Sequence, residues 1–277
     1  MLQKTFSIYA DDLDDCRLFI EAGTQHIACW FKDAQKGAVK AFEFFQFETD
    51  EKNTIESVLG EIRLYSKLMN RGINPETIIW DTGDAICVPQ AFYREDLAAE
   101  YLNIIAGNTT ATTVLAQQAA EDIIVSRHEV EYTSAFNTHF KNNAFTHKFS
   151  LLLKRCFING NELFVKPQDN RLYTVFYPAH FILIAIKQQQ LQIIRNFNYS
   201  TSEDALYNIM QVCNQYNMPA GGTAIVASGL IDTASNLYNT LYSYLDNFTL
   251  EEAGGVVFAA EGFSEYPAHY FLPFIYQ

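Results

Sequence analysis

Residues 171–201 read RLYTVFYPAHFILIAIKQQQLQIIRNFNYST, three apolar runs set apart by two polar breaks. Leu, Val, Ile, Phe and Tyr fill the runs, while YPAH (177–180) and KQQQ (187–190) supply the breaks. Short β-branched and aromatic runs bounded by turn formers specify strands. The next segment, SEDALYNIMQVCNQYN (202–217), changes period and aligns Leu206, Ile209, Met210, Cys213 and Tyr216 on one helical stripe. Thr201 stands at its start with Asp204 three places on, the spacing of an N-terminal cap.

The same order occurs earlier in the chain. Residues 17–48, RLFIEAGTQHIACWFKDAQKGAVKAFEFFQFE, also read as three strands, punctuated by Gly23 and by KDAQKG with Gly37. A helix is expected from about Thr54 to Arg71. Ile55, Val58, Leu59, Ile62, Tyr65, Leu68 and Met69 form its buried stripe, Asn53 its cap and Gly72 its end. Each helix is followed by a proline, Pro75 or Pro219, and then by a strand ending in glycine, TIIWDTG (77–83) or TAIVASG (223–229). A further helix is expected over 94–106 and over 234–246. A last strand is expected at DIIVSRH (122–128) and at GGVVFAAE (254–261), with DAICVP (84–89) as an extra strand in the first half.

Three strands, then alternating helix and strand, imply a mixed sheet covered by helices. Its duplication predicts an α/β protein of two ribonuclease H-like subdomains, each of βββαβαβ pattern, as in the actin, sugar-kinase and heat-shock ATPase superfamily. The expected organisation is 1–130 for the first subdomain, 131–160 for a helical connector ending in INGNE, and 161–277 for the second. FNYSTSEDALYNIMQVCNQY (197–216) followed by TAIVASGLIDTASNLYNTLYSYL (223–245) resembles the second half of an uncharacterised bacterial family with an actin-like ATPase fold. VPQAFY (88–93) is similar to an element of that family's first half. The resemblance implies two subdomains with a cleft between them and carries no activity with it. Glu203, Asp204 and Tyr207 at a helix start are remotely similar to pilus-assembly scaffold proteins, which implies a fold that docks other proteins.

A nucleotide site on this fold needs two hairpins bearing Asp and Gly, and a strand ending in Gly-Gly for adenosine. Glycine lets backbone amides approach phosphate, and Asp orders hydrated magnesium. Glu21 and Gly23 match the first hairpin in part. The second hairpin, VFYPAHFIL (175–183), has neither residue type, and Pro178 lacks a backbone donor. At the third position Ser228-Gly229 is followed by Leu230, whose side chain stands where adenosine would approach. The loops therefore read as degenerate, and no cofactor is expected. The alternative is a divergent ATPase or phosphotransferase holding ATP and magnesium with Glu21, Gly23, Asp81, Ser228 and Gly229.

Other chemistry is thinly represented. DTGD (81–84) has the Asp-Thr-Gly of aspartic proteases, but that chemistry needs two carboxylates and no second copy occurs. Ser228 lies in ASGL rather than G-x-S-x-G, so no nucleophile is assigned. The six histidines show no metal-ligand spacing, and His139 and His147 read as surface or connector residues. No catalytic residue and no metal ligand is expected.

The formal net charge of −13, with no Lys/Arg cluster, opposes binding to nucleic acid. Five scattered cysteines without a C-x-x-C pair suit reduced thiols in a cytoplasm. FILIAI (181–186) is too short to span a bilayer, and the start MLQKTFSIYADD has no signal-peptide core, so no membrane insertion is expected. The aromatic tail EYPAHYFLPFIYQ is expected to be tied down as an added strand on the second subdomain, in an interface, or as packed core. Together these readings predict a cytoplasmic, non-catalytic binding or scaffold module with a protein partner.

Overall fold

Each half of the chain forms a mixed sheet built on the three-strand run of the repeat. The computed structural model describes residues 2–48, 54–109, 111–141, 144–158 and 170–275. In the first half, β1 (Gln3–Tyr9), β2 (Cys16–Gly23), β3 (His26–Asp33), β4 (Val39–Gln46), β5 (Pro75–Asp81) and β9 (Phe145–His147) make one six-stranded sheet, ordered β1-β4-β3-β2-β5-β9. In the second, β10 (Asn170–Phe176), β11 (His180–Lys187), β12 (Gln190–Asn198), β13 (Thr223–Gly229) and β14 (Phe248–Leu250) are ordered β12-β11-β10-β13-β14. The meander pairs antiparallel, and each later strand adds in parallel: β5 to β2 and β9 to β5, as β13 to β10 and β14 to β13. The agreement in order and direction is the duplication read from the sequence.

Backbone contacts divide the chain into two units, Met1–Leu151 with Gly255–Tyr266, and Leu152–Gly254 with Pro267–Gln277. Against the expected connector at 131–160, helix α3 (Val130–His139) and β9 lie in the first unit. Helix α4 (Lys148–Ile158) spans the division. The expected exit turn INGNE runs outside the described residues from position 159.

The central strands β2 and β3 are buried on both faces, which explains their unbroken apolar runs. One face of the first sheet (Leu18, Ile20, Ala22, Ile78, Trp80) packs on helix α1 (Ile55–Tyr65) and on Ala135 and Phe136 of α3. Helix α1 buries Ile55, Val58, Leu59 and Ile62, worth roughly 1.5–3 kcal/mol each. Burial of that size outweighs any single propensity term. The helix is shorter than expected. Thr54 caps it by accepting from Ser57 N–H, Asn53 lies outside the described residues, and Ser66 ends it. Gly72 instead closes a separate 3-10 turn, Met69–Arg71, in the left-handed region at φ 71°. In the second unit, helix α5 (Ser202–Gln215) carries the predicted cap, with Thr201 accepting from Asp204 N–H and the Asp204 carboxylate accepting in return.

Three expectations need correction. DIIVSRH forms β8 (Asp122–Glu129), but β8 pairs with β6 (Ala85–Pro89) and β7 (Thr112–Ala119) in a separate three-stranded sheet covered by helix α2 (Ala98–Ala106). The last strand of the first sheet is instead β9, only three residues long. GGVVFAAE makes no full strand: Phe258 bridges Val39 of β4 in the first unit, and the second sheet ends at β14. For the tail the added strand is set aside and the packed core holds: it forms a 3-10 turn (Ala268–Tyr270) and a short helical turn (Leu272–Ile275). Its Phe271, Leu272, Phe274 and Ile275 are buried, and their apolar bulk is what ties the end down.

Candidate functional site

Period-two alternation turns Phe19, Glu21 and Gly23 of β2 away from the α1 face of the sheet. The parallel register sets Glu21 beside Ile79 and Gly23 beside Asp81, so both carboxylates share that face at the strand ends. His26 begins β3 directly after the tight turn. Its Nε2 lies 3.2 Å from Glu21 Oε1 and 4.0 Å from Asp81 Oδ2. Lys148, the first residue of α4, pairs its ammonium with Glu21 Oε2. Glu21, His26, Asp81 and Lys148 are all buried.

Gly23 has a packing reason in this arrangement. A Cβ built on it would lie 2.2 Å from His26 Cε1, so the imidazole occupies the space that glycine leaves open. The ring also stacks on Phe44 at a centroid distance of 5.4 Å. His147, expected at the surface, is fully buried beside β5. Its Nδ1 accepts from Phe149 N–H at 3.1 Å, so the proton sits on Nε2, which donates to the Thr82 carbonyl at 3.2 Å. Burial pushes its pKa down to about 4, and the imidazole is neutral near pH 7.

In the second unit, Ser228 and Gly229 close β13 in register with Val175 and Phe176. Ser228 is buried and its Oγ donates to the His269 carbonyl at 3.0 Å. Gly229 has φ +82°, and a Cβ there would fall 2.3 Å from the Phe176 carbonyl oxygen. Leu230 N–H donates to that same oxygen at 2.7 Å. Both residues are thus held by Phe176 and the tail.

Glu21, Gly23 and Asp81 are therefore brought together in the first unit, while Ser228 and Gly229 adjoin one another in the second. His26, Lys148 and His147 were missed in the sequence. The signal for His26 was its place across the hairpin from Gly23; Lys148 is 127 residues from Glu21, and nothing local marks it.

The first unit also holds a cavity of about 960 Å³ between the ends of β2 and β5 and the β6-β8-β7 sheet. Thr24, Thr82, Glu129, Glu131 and Tyr132 are among its lining residues. Arg127 reaches this wall, but its guanidinium is committed to Asp84 at 2.8 Å, Asn103, and the Ala106 and Gly107 carbonyls.

This duplicated architecture is the actin-like ATPase fold. A protein from Bacteroides thetaiotaomicron described as having an actin-like ATPase fold and unknown function superposes with a TM-score of 0.71 at 12% identity, over 87% of this chain and 93% of that one. The PilM–PilN type IV pilus biogenesis complex contains a chain matching with a TM-score of 0.63 at 11% identity, over 95% and 98% of the two chains. Within that fold the chain belongs to the family described as "Protein of unknown function (DUF3822)", whose model matches residues 3–248. No curated protein matches the sequence. Among the described residues no helix is long and apolar enough to cross a membrane.

Proposed function

We propose that the protein is a docking module that binds a segment of a partner protein and neither binds nor hydrolyses nucleotide. The observation that carries this reading is occupancy. The open face of Gly23, at the hairpin where a phosphate would need backbone access, is filled by the protein's own His26 ring. Gly229 supports it independently, since its open face is packed on the Phe176 backbone. The Glu21 carboxylate, in the place of a magnesium-ordering Asp, is engaged by the Lys148 ammonium. Glu21, Gly23, Ser228 and Gly229 each engage a neighbour in their own unit.

The seat for the partner is the cavity beside the β6-β8-β7 sheet. Its size is that of a ligand pocket. With Arg127 neutralised by Asp84, the exposed Glu129 and Glu131 set the sign of its wall. Charge complementarity favours a partner segment bearing Lys or Arg. That PilM, a protein of this fold, is known in complex with PilN supports a docking role. The test is capture from native extract with the wild type and with Glu129→Gln/Glu131→Gln. A specific partner retained by the first and released by the second is expected. Equal capture by both would remove the cavity from the account.

The alternative, a divergent ATP-binding enzyme, draws its support from Glu21 and Asp81 meeting at adjoining strand ends. It requires the His26 ring and Lys148 to move away from them.

A further inference from the structure

We propose that Glu21, His26 and Asp81 form a binding site for a divalent transition ion of the zinc type. The three residues come from the end of β2, the start of β3 and the end of β5. Each offers one donor atom, and the donors lie within 4.8 Å of one another. Zinc bound at 2.0–2.2 Å to imidazole and carboxylate sets neighbouring ligands a little over 3 Å apart. The His26 Nε2 to Glu21 Oε1 distance of 3.2 Å already meets that spacing, and the Asp81 carboxylate, 4.0 Å from the imidazole and within 4.8 Å of the other donors, closes on an ion by a side-chain adjustment.

The surroundings suit such an ion. Lys148 holds the outer oxygen of Glu21, leaving Oε1 turned to the imidazole, as outer-shell partners orient a ligating carboxylate. Stacking on Phe44 and contact with Gly23 fix the ring plane of His26. The Glu21 and Asp81 carboxylates both approach the His26 Nε2, so two anionic donors and one imidazole donor converge. An imidazole nitrogen in the donor set selects zinc over magnesium, which takes oxygen ligands. Thr24 and Thr82, the chain neighbours of Gly23 and Asp81, lie on the cavity wall. Three protein ligands leave a fourth position open, the arrangement that admits a water or a partner group. The inference rests on the first unit alone and stands or falls apart from the docking role.

The test uses the full chain stripped with a chelator and dialysed against zinc, magnesium or cobalt(II). About one zinc per chain is expected at micromolar free ion, with magnesium bound at least tenfold more weakly. Cobalt(II) should give visible ligand-field bands stronger than those of the aqueous ion, without the near-ultraviolet band of a thiolate ligand. His26→Ala and Asp81→Asn should each weaken zinc binding tenfold or more, while Glu61→Gln, at an exposed position on α1, leaves it unchanged. Absence of stoichiometric zinc, a thiolate band, or undiminished binding by the folded His26→Ala and Asp81→Asn variants would overturn the site. Should those variants fail to fold, wild-type stoichiometry and the cobalt spectrum still decide it.

Discussion

His26 fills the space above Gly23, and the pair gives the glycine of this turn a packing reason. Gly23→Ala would force a methyl group into the imidazole, and overpacking of this kind costs about 1–3 kcal/mol. Denaturant melts should show that loss, and His26→Ala added to it should recover part of the stability by removing the clash. Gly229→Ala should be harsher, because the obstacle is the Phe176 backbone and φ is +82°. His147 sets a pH dependence. Its folded pKa of about 4 lies below its unfolded value near 6.5, so between those values the unfolded chain binds more protons. Stability should therefore fall as pH drops from about 6.5 to 4 and lose nothing further from this residue below that. A series of urea midpoints across that range checks the slope, which His147→Asn should flatten.

Glu43 shows how a single buried carboxylate holds elements together. On β4, it accepts from Lys4 and Tyr9 of the edge strand β1, from Ser66 at the end of α1, and from Lys67 N–H. Burial alone would raise its pKa, but those hydrogen bonds outweigh burial and hold the carboxyl below its usual range. Its contribution is thus present above the unfolded carboxyl pKa and is lost as pH falls through the lower folded one. Glu43→Gln should cost roughly 3 kcal/mol or more by leaving Lys4 without its counter-charge, and should abolish that acid-side slope. Equilibrium unfolding of the two proteins against pH measures both effects. Elements such as α5 were legible because a cap, an apolar stripe and a breaker agreed on one answer. β9 and β14 were not, because three residues carry too little pattern and owe their pairing to the neighbouring strand. The β6-β8-β7 sheet escaped for another reason: DIIVSRH does form a strand, but it pairs locally with the polar β7 and, from Pro89↔Asp122 to Ala85↔Ser126, with the distant β6.

Duplication made the architecture of the whole chain readable, since each half confirmed the other's order of strands and helices. The candidate site was only half readable. Glu21, Gly23 and Asp81 stood at strand ends predicted to matter, while the groups that engage them, His26 and Lys148, became neighbours only through the hairpin and through α4. Those two residues carry the proposal that the loop is filled from within and takes no nucleotide. Calorimetric titration of the intact, chelator-stripped chain with ATP and ADP in the presence of magnesium tests this most directly. The account predicts no saturable binding of either nucleotide at micromolar to millimolar concentration. Saturable, magnesium-dependent binding with a stoichiometry near one would contradict it.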